Sequence, residues 1–385
     1  MSLRDFKTIE ERRKYIEDET HNKFSSISLF PDKLKEASQT NCENMIGAVS
    51  IPLGIAGPLK IRDQGSGVRD QEVYVPLATT EGALVASVNR GCKAISESGG
   101  AYTVVENSGM TRGASFKTQS LKQSLELREF INIHNEDIKK IASSTSFHLQ
   151  FKSVFTKTLG RSVFVRFSFD CSEAMGMNMA TIAVSKICNY LEKETQAKTI
   201  SVASNFDVDK KPAWLNVILG RGRQVWAEVE ISDKTIVSVL KTTAQKMHEL
   251  NIQKNLLGSS LSGSLGFNAH FANIVSAFFI ATGQDPAHVT EGSLGFTTTD
   301  LTTAGIAVSI YTPNVNVGTV GGGTKLACQK EALSILGITD GSCKGSADLL
   351  ASYLGAAVLG GEISLLASLA EGSLASTHKK LGRGK

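Results

Sequence analysis

GSSLSGSLGFNAHFANIVSAFFIATGQD, residues 258–285, opens as a Gly/Ser run with little side-chain bulk, passes through Asn268, His270 and Asn273, and turns apolar from Ile274 to Ala281 before ending at Asp285. An element apolar on every side is a buried helix, and roughly a dozen residues are too few to cross a bilayer. The stretch therefore predicts the axis of a core. His270, Asn273 and Asp285 then have two explanations: satisfied polar groups of that core, or the footing of a site. One continuous helix would set His270 and Asp285 about 22 Å apart on broadly the same side.

Working outward, residues 225–232 read as a strand and 233–249 as a helix leading into the Gly/Ser run. Residues 301–317 read as strands that deliver the glycine loop GTVGGGT, 318–324. An apolar helix pair is expected over 346–371; its most apolar run, Leu349 to Gly361, is short of a membrane span and flanked by Asp348 and Glu362. Upstream, QEVYVPLA (71–78) reads as a strand before TTEGALVAS, where Glu81 opens a helix, and residues 6–19 read as an exposed helix. Residues 41–61, with Pro52, Pro58 and three glycines, should be extended segments and turns. From 113 to 203 the texture changes: a polar helix near 120–142, then RSVFVRFSFD, whose Val163, Val165, Phe167 and Phe169 alternate as in a strand, then a helix over 177–195 and a second strand. The fold class is α+β.

A chain of 385 residues holds a sizeable core and about two or three domains. A net charge of +4 without a basic, aromatic-rich run excludes nucleic acid as the expected partner. Six scattered cysteines, with no CxxC pair, fit reduced thiols in a cytoplasmic protein and offer no zinc site. No metal is expected. The N-terminus is charged from its fourth residue, unlike a signal peptide, so a soluble protein without a membrane partner is expected.

Three segments carry chemistry. EAMGMNM (173–179) lies between a strand and a helix, where N-terminal amides hold anions, yet lacks GxGxxG spacing. Asp209-Lys210-Lys211-Pro212 is a short charge run entering apolar sequence, suited to a fixed positive charge beside a developing oxyanion as well as to plain solvation. Glu81, Asp285 and His378 are the candidate acids and bases; His378, near the C-terminal end, suits an acid that arrives on a closing flap.

These segments, with ENMIG (43–47), IPLGIAGPL (51–59), TTEGALVAS (79–87), GMTRG (109–113), DKKPAW (209–214), GFNAHFAN (266–273) and GQD (283–285), closely resemble the motifs of 3-hydroxy-3-methylglutaryl-CoA (HMG-CoA) reductase, in the family's order. The IPLGIAGPL form resembles the class I members, and the absence of an anchor resembles their soluble forms. The resemblance implies a large CoA-binding and dimerisation domain (50–112 and 204–385), an inserted nucleotide-binding domain (113–203) and an N-terminal helical segment (1–49). It implies reduction of HMG-CoA to mevalonate and CoA by two NADPH, in an obligate homodimer with shared sites or a homotetramer.

By the same resemblance Lys210 stabilises the oxyanion, Glu81 donates a proton at the aldehyde stage, Asp285 bonds between them, and His378 protonates the departing thiolate. Arg112, Asp209, Lys211 and Asn273 would serve the HMG carboxylate, and Ser87, Asn89, Arg90, Lys241, Lys254 and His270 the CoA. The cofactor match falls on Glu173, Met175, Gly176, Met177, Asn178, Val320, Gly321 and Gly322. Three departures stand out: Glu173 replaces an aspartate, Ala203 a serine with Ser204 beside it, and Phe147 the arginine that holds the NADP phosphate. Phe147 keeps NADH open as the reductant, with Ser144, Ser146, His148 and Lys152 as compensating groups. The alternatives are an NAD-dependent oxidative enzyme of the same family and a non-catalytic acyl-CoA-binding protein.

Overall fold

The computed structural model describes residues 3–62 and 70–372. Among them lie nine strands: β1 (Leu53–Ile61), β2 (Gln71–Ala78), β3 (Tyr102–Lys117), β4 (Gln150–Leu159), β5 (Ser162–Asp170), β6 (Lys198–Ser201), β7 (Gly222–Ser232), β8 (Phe296–Leu301) and β9 (Gly305–Val315). β1 and β2 pair as a separate two-stranded sheet. The other seven form one antiparallel sheet in the order β4-β5-β3-β7-β9-β8, with β6 also paired to β3. The mixed content is that of the α+β class.

β3 organises this sheet, and neither it nor β4 is predicted from local patterning. Its first half pairs with β7 and its second half with β5. The register slips between Asn107 and Gly109, where the Asn107 side chain accepts from the Gly109 amide at 2.9 Å. Gly109 has φ 86°, and a β-carbon there would lie 2.4 Å from Ser168 Oγ, so glycine is required at the bulge. The expected domain boundary at 113 falls inside this strand.

Apolar side chains gather in three clusters. The largest packs β1, β2, β7 and β9 against three helices, Leu84–Glu97, Phe271–Thr282 and Ser346–Glu371. A second joins Val163, Val165, Phe167 and Phe169 of β5, the alternation read from sequence, to the helices Leu121–Ile133, Asn135–Ser143 and Met177–Thr195. A small third cluster holds Ile9, Ala37 and Met45, under a helix Ile9–Thr20 that opens with a Thr8–Glu11 capping box.

Several expected elements are redrawn. The central helix spans only Phe271–Thr282; His270 is its N-cap, and Gly283, at φ 73°, ends it before Asp285. The Gly/Ser run instead closes a π-helical stretch, Asn251–Gly258, with one further helical turn that Gly263 stops at φ 69°. The expected pair over 346–371 is one 26-residue helix that takes in Asp348 and Glu362. By length and composition it would cross a membrane, but 89% of its most apolar window is buried inside the protein. The helix expected over 233–249 breaks at Lys241, φ 60°, and restarts behind the N-cap Thr243. The polar helix near 120–142 is two helices, divided at His134.

The three core helices touch through small residues. A β-carbon on Gly91 would lie 1.8 Å from the Gly360 carbonyl oxygen, and one on Gly361 would lie 2.7 Å from Ile274. Glycine lets the backbones approach; the helix-propensity cost of each, roughly 1 kcal/mol against alanine, is carried by that packing.

Candidate active site

Lys210 sits in a tight loop with φ 55°, a conformation that a residue with a β-carbon holds only against strain. Two anchors keep it there. Its amide donates to Glu291 Oε1, and its ammonium pairs with Asp285 Oδ2 at 2.7 Å. Asp285 is placed by the turn after the central helix and also accepts from the Ala287 amide at 3.0 Å. Burial pushes the Asp285 carboxyl up, but the Lys210 bond, the Ala287 amide and His288 outweigh it and hold the group below its ordinary value. The result is an ionised pair, part-exposed, with its ammonium available to a substrate oxygen.

Beneath the pair lies a buried polar network that local reading did not single out. Arg221, His288 and Glu291 are fully buried. The Arg221 guanidinium donates to both Glu291 oxygens at 2.9 and 2.8 Å and to Asp209 Oδ1 at 3.0 Å. Asn316 Nδ2 donates to Glu291 Oε2 at 2.9 Å, and His288 Nδ1 lies 3.1 Å from Oε1. Burial alone would raise Glu291, but its His288 bond and the Arg221 charge hold it below its ordinary value. The signal available in the sequence was the i, i+3, i+6 spacing of Asp285, His288 and Glu291, which places them along one side of a short helical turn. Arg112 reaches the buried Asp207 at 3.4 Å and Asp209 at 3.8 Å, while Lys211 turns its ammonium to the Asp209 carbonyl at 3.2 Å. Asp207, largely desolvated, is raised against the opposing pull of Arg112 and Arg221.

Asp209, His288 and Glu291 present donor atoms within 4.8 Å of one another, close enough for a metal ion. Arg221 already supplies a cation to two of the three.

Glu81 is not at a helix start. It lies in the turn before Leu84, with Ala83 at φ 73°, and its carboxylate accepts from Asn273 Nδ2 at 3.1 Å. Nor does Asp285 bridge it to Lys210 in this chain. Asn273 lies in the first turn of the central helix and Asp285 just past its end, and the helix from Asn273 to Thr282 is about 14 Å long. Glu81, Ser87, Arg90, His270 and Asn273 line one cavity of about 410 Å³. Ser87 and Arg90 are tied to the long helix through Ser364, at 3.0 Å each. The start of the central helix is held by the buried Glu362, which accepts from the amides of Ala269 and His270 at 2.7 and 2.8 Å. Asn89 faces elsewhere, accepting from the Gly57 amide at 2.9 Å, and Lys254 lines a neighbouring groove with Gly258 and Asn268. Lys241 is exposed at its helix break. His378 lies outside the described residues.

The two glycine-bearing loops meet: Ala174 and Val320 form a bridge, and a β-carbon on Gly318 would lie 2.4 Å from the Met175 amide nitrogen. Gly176, φ 95°, opens the Met177–Thr195 helix with no side chain capping its amides. Gly321 and Gly322 have positive φ and open space where their β-carbons would stand. An uncapped helix end beside a bare loop suits a dinucleotide pyrophosphate. The two oxygens of Glu173 accept from the Gly345 and Ala347 amides at 2.8 and 2.7 Å and cap the long helix. Ser146 bonds Met179 Sδ at 3.6 Å, and Phe147 is fully exposed.

A sequence profile of the family described as hydroxymethylglutaryl-coenzyme A reductase matches residues 8–383. The chain belongs to the hydroxymethylglutaryl-coenzyme A reductase family. It is 46% identical over 380 residues to the 3-hydroxy-3-methylglutaryl-coenzyme A reductase of Methanocaldococcus jannaschii, covering 97% of this chain and 92% of that one. To reductase 3 of Oryza sativa subsp. japonica it is 42% identical over 351 residues, 89% of this chain and 61% of that one. The class II reductase of Streptococcus pneumoniae, solved bound to NADPH, shares its fold at a TM-score of 0.69 and 19% identity, over 94% of this chain and 97% of that one. Within this reductase fold the cavity at Glu81 and the pair at Lys210 stand at opposite ends of one helix.

Proposed function

We propose that this chain reduces (S)-3-hydroxy-3-methylglutaryl-CoA to (R)-mevalonate and CoA with two NADPH, the committed step of the mevalonate route to isoprenoids. The observation that carries the reading is the Lys210–Asp285 pair: an ammonium fixed at 2.7 Å by a carboxylate and clamped through its own backbone. Such a charge stabilises oxygen as it becomes negative, without reorganising during the reaction. Arg112, Asp209 and Lys211 border the pair on the side proposed for the HMG carboxylate. The Glu81 cavity, with Ser87, Arg90 and His270, is proposed for CoA, and His378 for protonating its thiolate. Lys241, Lys254, Asn89 and Asn273 complete the proposed substrate set.

NADPH, when bound, supplies hydride to the thioester carbon and then to the aldehyde. Met175, Gly176, Met177, Asn178, Val320, Gly321 and Gly322 would hold it, and Ser146 lies near the same helix start. The division into 1–49, 50–112 with 204–385, and 113–203 follows the three apolar clusters in outline. We read the chain as the class I type, on the IPLGIAGPL motif and the low identity to the class II enzyme. The separation of Glu81 from Lys210 and Asp285 supports a homodimer, or a larger even oligomer, in which one copy's Glu81 completes the other's pair. Exposed Leu53, Ile55 and Tyr74 on the two-stranded sheet suit such a contact. We read the location as cytoplasmic, a reading supported by the scattered cysteines.

The test is loss of 340 nm absorbance on adding HMG-CoA, with NADPH and NADH compared because Phe147 puts no charge where an arginine would discriminate. Lys210→Ala should lower kcat by about 10²–10³-fold; full activity in that variant would sink the oxyanion role.

A further inference from the structure

His288 is the only fully buried histidine among the described residues, and both ring nitrogens point at carboxylates. Nδ1 lies 3.1 Å from Glu291 Oε1. Nε2 has no hydrogen-bond partner and stands 3.8 Å from Asp209 Oδ1 and 3.8 Å from Asp285 Oδ2. That Asp285 oxygen is the one bonded to Lys210. The remaining groups facing the ring are Arg221 Nη1, 3.4 Å from Nδ1, and Asn316 Nδ2 at 3.3 Å.

A neutral imidazole leaves part of this arrangement unmet. With the proton on Nδ1, the Nε2 lone pair faces two aspartates. With it on Nε2, Nδ1 can accept from Arg221 and Asn316 but offers no proton to the nearer Glu291 oxygen at 3.1 Å. Either way, among the described residues, the four carboxylates Asp207, Asp209, Asp285 and Glu291 pair with only three cations, Arg112, Arg221 and Lys210. Protonation of both nitrogens supplies the fourth: Nδ1–H donates to Glu291 and Nε2–H is directed between the aspartates. Arg221 satisfies Glu291 and Asp209 but no atom of Asp285, so the imidazolium is the second cation that Asp285 faces besides Lys210.

We propose that His288 is a positioning residue of the reaction: as an imidazolium it stands between Glu291 and the two aspartates and holds Asp285 in the ionised form that fixes Lys210. The proposal rests on the reading of Lys210 and Asp285 as the reacting pair. Removing the imidazolium raises the pH at which Asp285 takes up a proton, because a neighbouring cation favours the carboxylate. The acidic limb of the rate profile therefore moves up, and the Lys210 ammonium loses its partner at a higher pH.

Two measurements test it. In His288→Gln, kcat for HMG-CoA reduction should fall about tenfold with KM within twofold, and the acidic limb should move up by about one pH unit. A uniform fall in rate with the limb unmoved, as loose packing alone would give, overturns the proposal. The second uses the unmodified holoenzyme with ¹⁵N-labelled histidine, in which the buried ring is recognised by slow solvent exchange. Both nitrogens should read as protonated at pH 7. A neutral ring there overturns the proposal whether or not the variant folds, and leaves the proposed function standing. Full activity in Lys210→Ala would instead remove the pair's role and leave the ring's protonation unaffected.

Discussion

Gly91→Ala tests how the helix packing reaches the substrate cavity. The added β-carbon would lie 1.8 Å from the Gly360 carbonyl oxygen and 2.3 Å from its carbon, whereas real β-carbons keep at least 3.0 Å. The obstacle is backbone in the middle of a 26-residue helix, so no side chain can swing aside. The two helices must part by roughly 1.2 Å, the difference between the two distances. Overpacking of this kind costs about 1–3 kcal/mol. The separation also strains the Arg90 and Ser87 bonds to Ser364, each worth about 1 kcal/mol. Better helix propensity returns about 1 kcal/mol. A net loss of about 2–3 kcal/mol is expected, read as a lower urea midpoint with an unchanged slope. Because Ser87 and Arg90 line the Glu81 cavity, KM for HMG-CoA should rise severalfold while kcat at saturation holds. An unchanged midpoint would refute the packing argument, and a lowered midpoint with unchanged KM would refute its link to the cavity.

Gly318→Ala drives a β-carbon to 2.4 Å from the Met175 amide nitrogen; it should raise KM for NADPH by tenfold or more with little change in KM for HMG-CoA, and equal effects on both would count against a cofactor role for these loops. Glu173→Gln halves the acceptor strength at the start of the long helix and should lower stability by about 1–2 kcal/mol without changing cofactor preference; a switch between NADPH and NADH would show instead that Glu173 meets the cofactor. Glu291 and Asp285 are both held below their ordinary values, so their contribution to stability is present above the unfolded carboxylate range and is lost as pH falls through the folded values. Unfolding free energies across pH 3–6 should therefore rise less steeply with pH in Glu291→Gln than in the parent; parallel curves would exclude Glu291 as a source of acid sensitivity.

What the sequence disclosed follows from how local each signal is. The 177–195 helix and β2 carry their own periodicity and were legible to the residue, and the apolar run of residues 274–281 announced a buried helix. Its ends were not legible, because His270 and Gly283 stop it through backbone geometry that the hydrophobic pattern does not encode. β3 was missed because it is polar and glycine-bearing, and its partners lie far along the chain. In the site, the Lys210–Asp285 pair joins two segments whose motifs could be named separately, but their 2.7 Å contact is a tertiary fact. Arg221 was invisible, and the spacing of His288 and Glu291 was not decisive by itself, for a related reason: buried charges betray themselves by their partners, and these two lie 67 and 70 residues from Arg221. Glu173 was matched to the cofactor by its motif, and only the folded chain reveals the helix end that claims both its oxygens.

The bulge at Gly109 fixes parity. Beyond it, Thr111 donates to the Asp207 carbonyl at 2.8 Å, and Gly113, two residues on, is pressed against the Asp207 amide, where a β-carbon would stand 2.7 Å away. These odd-numbered positions carry the loop that leads to Lys210. One residue deleted between the bulge and Thr111 would exchange odd for even and bring Ala114 to the place of Gly113, where a β-carbon does not fit. The loop bearing the reactive lysine is thus indexed by a count along a strand some hundred residues earlier in the chain, and a deletion there would displace the ammonium together with Arg112.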